Sequence, residues 1–144
     1  MEEPLGTAAL IVNSRGEYLL HLRDDIPGIC DPGTWSLLGG GREGDEETPE
    51  AAVARELKEE AGLVLPGLRP YAVVPAHATD ATDATDATDD LIAVFLGRWD
   101  GEAEALPLTE GIMVRWFPAS VIPRLVMCPW AQAVIERYER EKNL

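Results

Sequence analysis

The first part of the chain contains two short segments whose residues favour β-strands. Residues 7–12 and 18–23 are rich in aliphatic and β-branched side chains, and the Asn-Ser-Arg-Gly sequence at 13–16 between them is typical of a turn. The pattern therefore predicts a β-hairpin. Residues 24–34 hold two prolines and two glycines, which predicts a loop leading to a short apolar piece at 35–38.

The clearest helical signals come after three consecutive glycines at 39–41, which let the backbone take conformations that other side chains forbid. Thr48 is suited to cap a helix, Pro49 to its first position, and Gly62 to its end. The apolar side chains between them predict one buried face, formed by Ala51, Ala52, Val53, Ala54, Leu57 and Ala61.

The remainder of the chain predicts three more strands and a closing helix. The strands are expected at 68–76, 91–99 and 112–117, and the helix from Pro129 to about Glu141. A length of 144 residues fits one domain over 1–144 with a substantial core.

One segment is of low complexity: Ala-Thr-Asp repeats four times at 78–89. The aspartates recur every third residue, a period that matches neither a strand nor a helix, so we predict a flexible acidic loop between two strands. A calcium site is the alternative, although the spacing and the glycine of an EF-hand are absent.

The charge excludes some classes of partner. With 12 Lys and Arg against 26 Asp and Glu, the formal net charge is −14, which disfavours binding to a nucleic-acid polymer or an anionic membrane. The start, Met-Glu-Glu-Pro, has neither a basic region nor an apolar core, so we expect a cytoplasmic protein. Cys30 and Cys128 are far apart, and we expect both to be reduced and packed.

Three carboxylates fall on one face of the predicted helix. At about 100° per residue, Glu56, Glu59 and Glu60 lie within roughly a third of its circumference, where like charges repel. A hard divalent cation would convert this repulsion into coordination. Arg55, four residues before Glu59 and able to reach Glu47, would brace the carboxylates. The alternative is an ordinary solvated helix rich in Glu and Lys.

The spacing of these residues resembles a known signature. Gly41, Glu47, Arg55-Glu56-Leu57, Glu59-Glu60 and Gly62-Leu63 follow, without a gap, the Nudix box Gly-x5-Glu-x7-Arg-Glu-U-x-Glu-Glu-x-Gly-U, in which U is a bulky aliphatic residue. The approach Trp35-Ser36-Leu37-Leu38-Gly39-Gly40 is also similar to that of the family, although many members have proline where Leu38 stands.

The resemblance implies a Nudix fold, an α/β/α sandwich with a mixed sheet, and a bound Mg²⁺ or Mn²⁺. Carried over by position, Glu56, Glu59, Glu60 and the Gly41 carbonyl are expected to bind the metal. Members differ in which carboxylate deprotonates the attacking water, so Glu56 and Glu59 are both candidate bases, with Arg55 as the third catalytic candidate.

Other residues are expected to support the site or bind substrate. Glu47 is the expected structural support. Glu110 is a further candidate, for which the alternative is a simple turn residue. The candidate substrate contacts are Arg23, Trp35 and Gly40. Arg23 is alternatively a surface arginine of the strand that binds no ligand, and Trp35 is alternatively a core residue. His21 and His77 show no metal-binding or catalytic spacing, and neither is assigned a role.

The resemblance implies a metal-dependent hydrolase that cleaves the diphosphate linkage of a nucleoside diphosphate derivative and releases a nucleoside monophosphate. Nucleoside triphosphates, nucleotide sugars and dinucleotides all remain open as small-molecule substrates. Two alternatives remain: a Nudix-fold module that senses a nucleotide without turnover, and a Nudix-fold isomerase of isoprenyl diphosphates. A homodimer is also left open.

Overall fold

A computed structural model describes residues 4–28, 32–44, 46–76 and 91–142 of the chain. The described residues form seven β-strands and two α-helices, with short 3₁₀ turns at Ala103–Ala105 and Ile122–Arg124. In chain order the elements are β1 Gly6–Val12, β2 Tyr18–Leu22, β3 Trp35–Ser36, β4 Leu38–Gly41, α1 Pro49–Ala61, β5 Arg69–Pro75, β6 Leu91–Arg98, β7 Met113–Phe117 and α2 Pro129–Lys142.

The strands form one mixed sheet around β1. On one side β1 runs parallel to β6, and on the other it pairs antiparallel with β4 and, at the hairpin, with β2. Strand β2 continues the sheet to β3 and β7, and β5 pairs antiparallel with β6. Every residue of β1 after Gly6 is buried, as expected of a central strand covered on both faces.

Alternate side chains of β1 enter two separate apolar layers. Ala8, Leu10 and Val12 pack on the side of α2, with Val134 and Ile135 of that helix among the buried residues. Ala9 and Ile11 point to the opposite face, where the apolar side of α1 covers them. The sheet therefore lies between the two helices, and the predicted α/β/α sandwich with a mixed sheet is confirmed.

The predicted elements are present, and most of their ends move by one residue or two. The main difference is at residues 35–41, where two short strands replace one apolar piece followed by glycines. Strand β4 contains glycine at residue 39 because it lies very close to β1. A Cβ on Gly39 would stand 2.1 Å from the Thr7 carbonyl oxygen. The hydroxyl of Thr7 also donates to the Gly40 carbonyl at 2.8 Å.

Several expectations concern residues outside the described ranges: Cys30, His77 and the Ala-Thr-Asp repeat at 78–89. Cys128 is buried in the apolar layer beneath α2, as predicted. Within the described ranges, neither helix is long and apolar enough to cross a membrane.

Candidate functional site

The cluster of carboxylates is positioned by α1 and by the strand β4 beside it. The Thr48 side chain accepts a hydrogen bond from the Ala51 N–H at 3.1 Å and so caps the start of α1. Gly62, in the left-handed conformation at φ 64°, ends the helix. Because Val53 and Leu57 are fully buried against the sheet, the orientation of the polar face of α1 is set by packing.

Glu60 is the innermost of the three carboxylates, with only 5% of the residue exposed. Its Oε1 atom has no hydrogen-bond partner among the described residues, while the Gly39 N–H donates to the carboxylate. Burial raises the pKa of Glu60 well above its ordinary value, and the negative charges of Glu56 and Glu110 raise it further. A buried carboxylate with an unsatisfied oxygen needs either a proton or a cation.

Glu56 lies directly against the glycines of β4. A Cβ added to Gly40 would stand 2.3 Å from the carboxyl carbon of Glu56 and within 2.7 Å of both its oxygens. The Glu56 carboxylate therefore occupies the space that a side chain at residue 40 would need. This contact explains the glycine at position 40 independently of any substrate contact.

Arg55 connects the carboxylates of α1 to the preceding loop. Its Nε and Nη2 atoms donate to the two oxygens of Glu47 at 2.8 and 3.0 Å, and Nη2 also donates to the Gly41 carbonyl at 2.9 Å. Its Nη1 atom donates to Glu56 at 3.0 Å and to Glu59 at 3.1 Å. One guanidinium thus contacts three of the four expected metal-binding groups, which a lysine ammonium lacks the geometry to do.

Glu47 is held from two directions. Besides the paired bonds from Arg55, it accepts the backbone N–H of Glu43 at 2.7 Å. The hydrogen bonds from Arg55, followed by the one from Glu43, lower the pKa of Glu47 to about 2. The same pairing raises the pKa of Arg55. Both groups are therefore charged at neutral pH, and their pairing holds Glu47 against α1.

The donor set suits a hard divalent cation, because Glu56, Glu59, Glu60 and the Gly41 carbonyl offer only oxygen. The Oε1 atom of Glu60, without a hydrogen-bond partner among the described residues, also suits a cation ligand. However, no three acidic, His or Cys side chains in the described part of the chain already converge as a metal site. Arg55 supplies a physical reason, since its guanidinium holds two of the carboxylates and the carbonyl.

A fourth carboxylate approaches from the segment before β7. Thr109 donates from its backbone N–H to the Glu60 carbonyl and from its hydroxyl to the Glu59 carbonyl, both at 2.8 Å. These carbonyls lie in the last turn of α1 and lack helical partners. The following residue, Glu110, is near enough for its charge to raise the pKa of Glu60.

Two candidate substrate contacts, Arg23 and Trp35, lie outside α1 and β4. Arg23 directly follows β2 and donates its backbone N–H to the Thr34 carbonyl. Burial lowers the pKa of His21, and the nearby charge of Arg23 lowers it further. Trp35 packs edge-on against Phe117, with ring centroids 4.8 Å apart, in the layer on the α2 side of the sheet. The structure thus groups the α1 and β4 candidates with Glu47 and separates Trp35 from them.

Sequence reasoning missed two residues that hold the segment around Glu110 in place. Thr109 carries no recognisable signal because it lies about 50 positions from the carbonyls that it contacts. His21 is a buried histidine on β2 whose Nε2 atom lies 2.9 Å from the Glu110 carbonyl oxygen. Burial lowers the pKa of His21. Its position on an apolar strand was visible in the sequence, whereas its partner was not.

Comparison with known proteins gives a consistent assignment. A family model described as the NUDIX domain matches residues 3–138. An RNA pyrophosphohydrolase of Gluconacetobacter diazotrophicus is 43% identical over 68 residues, which cover 43% of this chain and 40% of that protein. Nucleoside triphosphatase NudI of Enterobacter sp. is 41% identical over 64 residues, covering 43% of this chain and 44% of the relative. The matches thus span less than half the length of either relative.

The fold of the whole chain is also found among solved structures. The NUDIX domain of Shewanella oneidensis NrtR, solved with ADP ribose, superposes with a TM-score of 0.74 and covers 100% of this chain and 90% of that one. The sequence identity is 20%, so this likeness concerns the fold.

Proposed function

Because this chain belongs to the NUDIX domain family, we propose that it is a pyrophosphohydrolase that cleaves the diphosphate linkage of a nucleoside diphosphate derivative. The observation that carries the proposal is the buried Glu60 on α1, close to Glu56: the Oε1 atom of Glu60 has no hydrogen-bond partner within the described ranges. Burying a carboxylate that lacks a hydrogen-bond partner destabilises the folded state, so this arrangement is not expected in a helix with a purely structural role.

We assign the residues of the site as follows. Glu56, Glu59, Glu60 and the Gly41 carbonyl would hold Mg²⁺ or Mn²⁺, which when bound would neutralise the diphosphate oxygens and acidify the attacking water. Glu56 or Glu59 takes the proton from that water, and Glu47 holds Arg55 in place. The water attacks one phosphorus, and the bond from that phosphorus to the bridging oxygen breaks to release a nucleoside monophosphate.

The substrate is most reasonably a small nucleotide. The relatives' names include a nucleoside triphosphatase and an RNA pyrophosphohydrolase, and the solved NrtR domain contains ADP ribose. A net charge of −14 opposes a long polyanion more than a mononucleotide, because repulsion accumulates with each phosphate. Nucleoside triphosphates, nucleotide sugars and dinucleotides therefore come first in the test.

The proposal is tested with a panel of these compounds and a 5′-triphosphorylated RNA, each with Mg²⁺ or Mn²⁺, by mass spectrometry of the products in ¹⁸O-labelled water. We expect release of a nucleoside monophosphate with one labelled oxygen on one product. Glu59→Gln should abolish most of this turnover. Glu50→Gln, which removes a charge from the exposed first turn of the same helix, is the matched control.

Three results would contradict the proposal. Binding of a nucleotide without turnover under either metal would support the sensor, and isomerisation of an isoprenyl diphosphate would support the isomerase. Equal turnover by the parent chain and Glu59→Gln would place the chemistry elsewhere.

A further inference from the structure

The segment that carries Glu110 is held from two sides. We call residues 106–112, between the 3₁₀ turn at Ala103–Ala105 and β7, the Glu110 loop. On one side Thr109 bonds the last carbonyls of α1. On the other side the backbone N–H of Ile112 donates to the Leu22 carbonyl at 2.9 Å. The loop therefore bridges the helix of the box and the end of β2.

His21 makes the contact closest to Glu110 itself. The imidazole is buried on β2, with the residue 5% exposed, and its Nε2 atom lies 2.9 Å from the Glu110 carbonyl oxygen. Because a carbonyl oxygen only accepts, Nε2 must carry the proton and donate it. This hydrogen bond holds the Glu110 carbonyl group, which is attached to the same α-carbon as the Glu110 side chain.

The packing around Gly111 indicates that the loop and the imidazole fit each other closely. Gly111 has a positive φ of 83°, and a Cβ at this position would stand only 1.9 Å from Nε2 of His21. The Gly111 N–H also donates to the Asp24 carboxylate at 3.2 Å. The backbone thus approaches His21 more closely than any residue with a side chain permits.

We infer that His21 is a positioning residue, which holds the Glu110 carboxylate beside Glu60 by donating a hydrogen bond to the Glu110 carbonyl. The inference rests on the proposed function, in which Glu60, the carboxylate that senses the charge of Glu110, binds the metal. The competing explanation is that His21 is merely a buried polar residue of β2 with a satisfied ring, of no consequence for the reaction.

Two substitutions at His21 separate these explanations. His21→Gln places an amide N–H near the position of Nε2, so the bond to Glu110 can be kept. His21→Leu fills the space but removes the donor. Val114→Ala is the matched control, because Val114 is buried, faces His21 across β2 and β7, and its truncation weakens the core without removing that bond.

Amide hydrogen exchange tests the contact without reference to catalysis. In His21→Leu we expect the amides of Thr109, Gly111 and Ile112 to exchange about tenfold faster, the effect of losing one hydrogen bond. The amide of Gly62, which bonds the Lys58 carbonyl, is the internal reference and should be unchanged. In His21→Gln the three loop amides should stay within about twofold of the parent.

Kinetics then tests whether the contact matters for the reaction. We expect kcat of His21→Leu to fall about tenfold, as for a lost hydrogen bond, with KM changed less than about twofold. His21→Gln and Val114→Ala should retain most of the parent kcat. In a Glu110→Gln background, His21→Leu should lower kcat by less than about a further twofold, because the effects of two residues that act through one another are not additive.

Four outcomes would overturn the inference: loop amides that exchange as in the parent, an unchanged kcat in His21→Leu, equal losses from His21→Leu in both backgrounds, or a Gln variant as impaired as the Leu variant. Lack of turnover by the parent chain would instead refute the proposed function, and the exchange measurement would still decide whether His21 holds the loop.

Discussion

Gly40→Ala changes the position of a carboxylate without altering the carboxylate itself. The new methyl group would stand 2.3 Å from the carboxyl carbon of Glu56, whereas two carbons in contact are ~3.5 Å apart. Residue 40 does not have a positive φ, so alanine fits the backbone. The Glu56 side chain must therefore move by about 1 Å.

The expected consequence is a large loss of activity with little loss of stability. A displacement of about 1 Å at a reacting group costs about a hundredfold in rate. The folded state loses at most the hydrogen bond from Arg55 to Glu56. Alanine also restricts the unfolded chain, which stabilises the folded state by about 0.4–1 kcal/mol. We therefore expect the free energy of unfolding to stay within about 1 kcal/mol of the parent value.

The two neighbouring glycines provide the controls. A Cβ on Gly39 would stand 2.1 Å from the Thr7 carbonyl oxygen, which cannot move without the strand, so Gly39→Ala should lower the melting temperature markedly. A Cβ on Gly41 would have an ordinary 3.6 Å contact with the Leu5 carbonyl oxygen, so Gly41→Ala should lose far less activity than Gly40→Ala. Phosphate release and thermal melting are measured for all three. Parental kcat in Gly40→Ala, or a melting temperature as low as that of Gly39→Ala, would refute this reasoning.

Three further predictions use the same assays. Glu59→Gln and Glu60→Gln should each lower turnover by orders of magnitude, and near-normal rates at limiting Mg²⁺ would reject the metal assignment. Without metal, and at a pH above the raised pKa of Glu60 of about 8, Glu60→Gln should also raise the melting temperature, because it removes a buried charge. Arg55→Lys should lower both the melting temperature and the rate, because an ammonium group cannot donate to both oxygens of Glu47 with the geometry of a guanidinium. A lysine variant equal to the parent in both measurements would disprove the role of Arg55 in holding the carboxylates. Removing two Ala-Thr-Asp units from 78–89 should shift the free energy of unfolding by under about 1 kcal/mol, because the entropic cost of loop closure depends logarithmically on loop length. A variant with the parental melting temperature but little turnover would indicate that the repeat contributes to the site.

The sequence alone was sufficient for the elements and the family signature. Thr48, Pro49 and Gly62 mark the ends of α1 because capping and the left-handed conformation are local properties of a few neighbouring residues. The shared face of Glu56 and Glu60 likewise follows from helical periodicity. The boundaries of strands were less certain, and the split into β3 and β4 was not foreseen, because strand limits depend on pairing partners elsewhere in the chain.

The tertiary structure decided what each of these residues contacts. Helical spacing places three glutamates together, but only packing shows that Glu60 is buried while 57% of the Glu59 side chain is exposed. The reason for glycine at position 40 and the contact of His21 with the Glu110 loop both join parts of the chain that are distant in sequence. Local propensity and spacing carry no information about such contacts, because they depend on the path that the whole chain takes through the sheet.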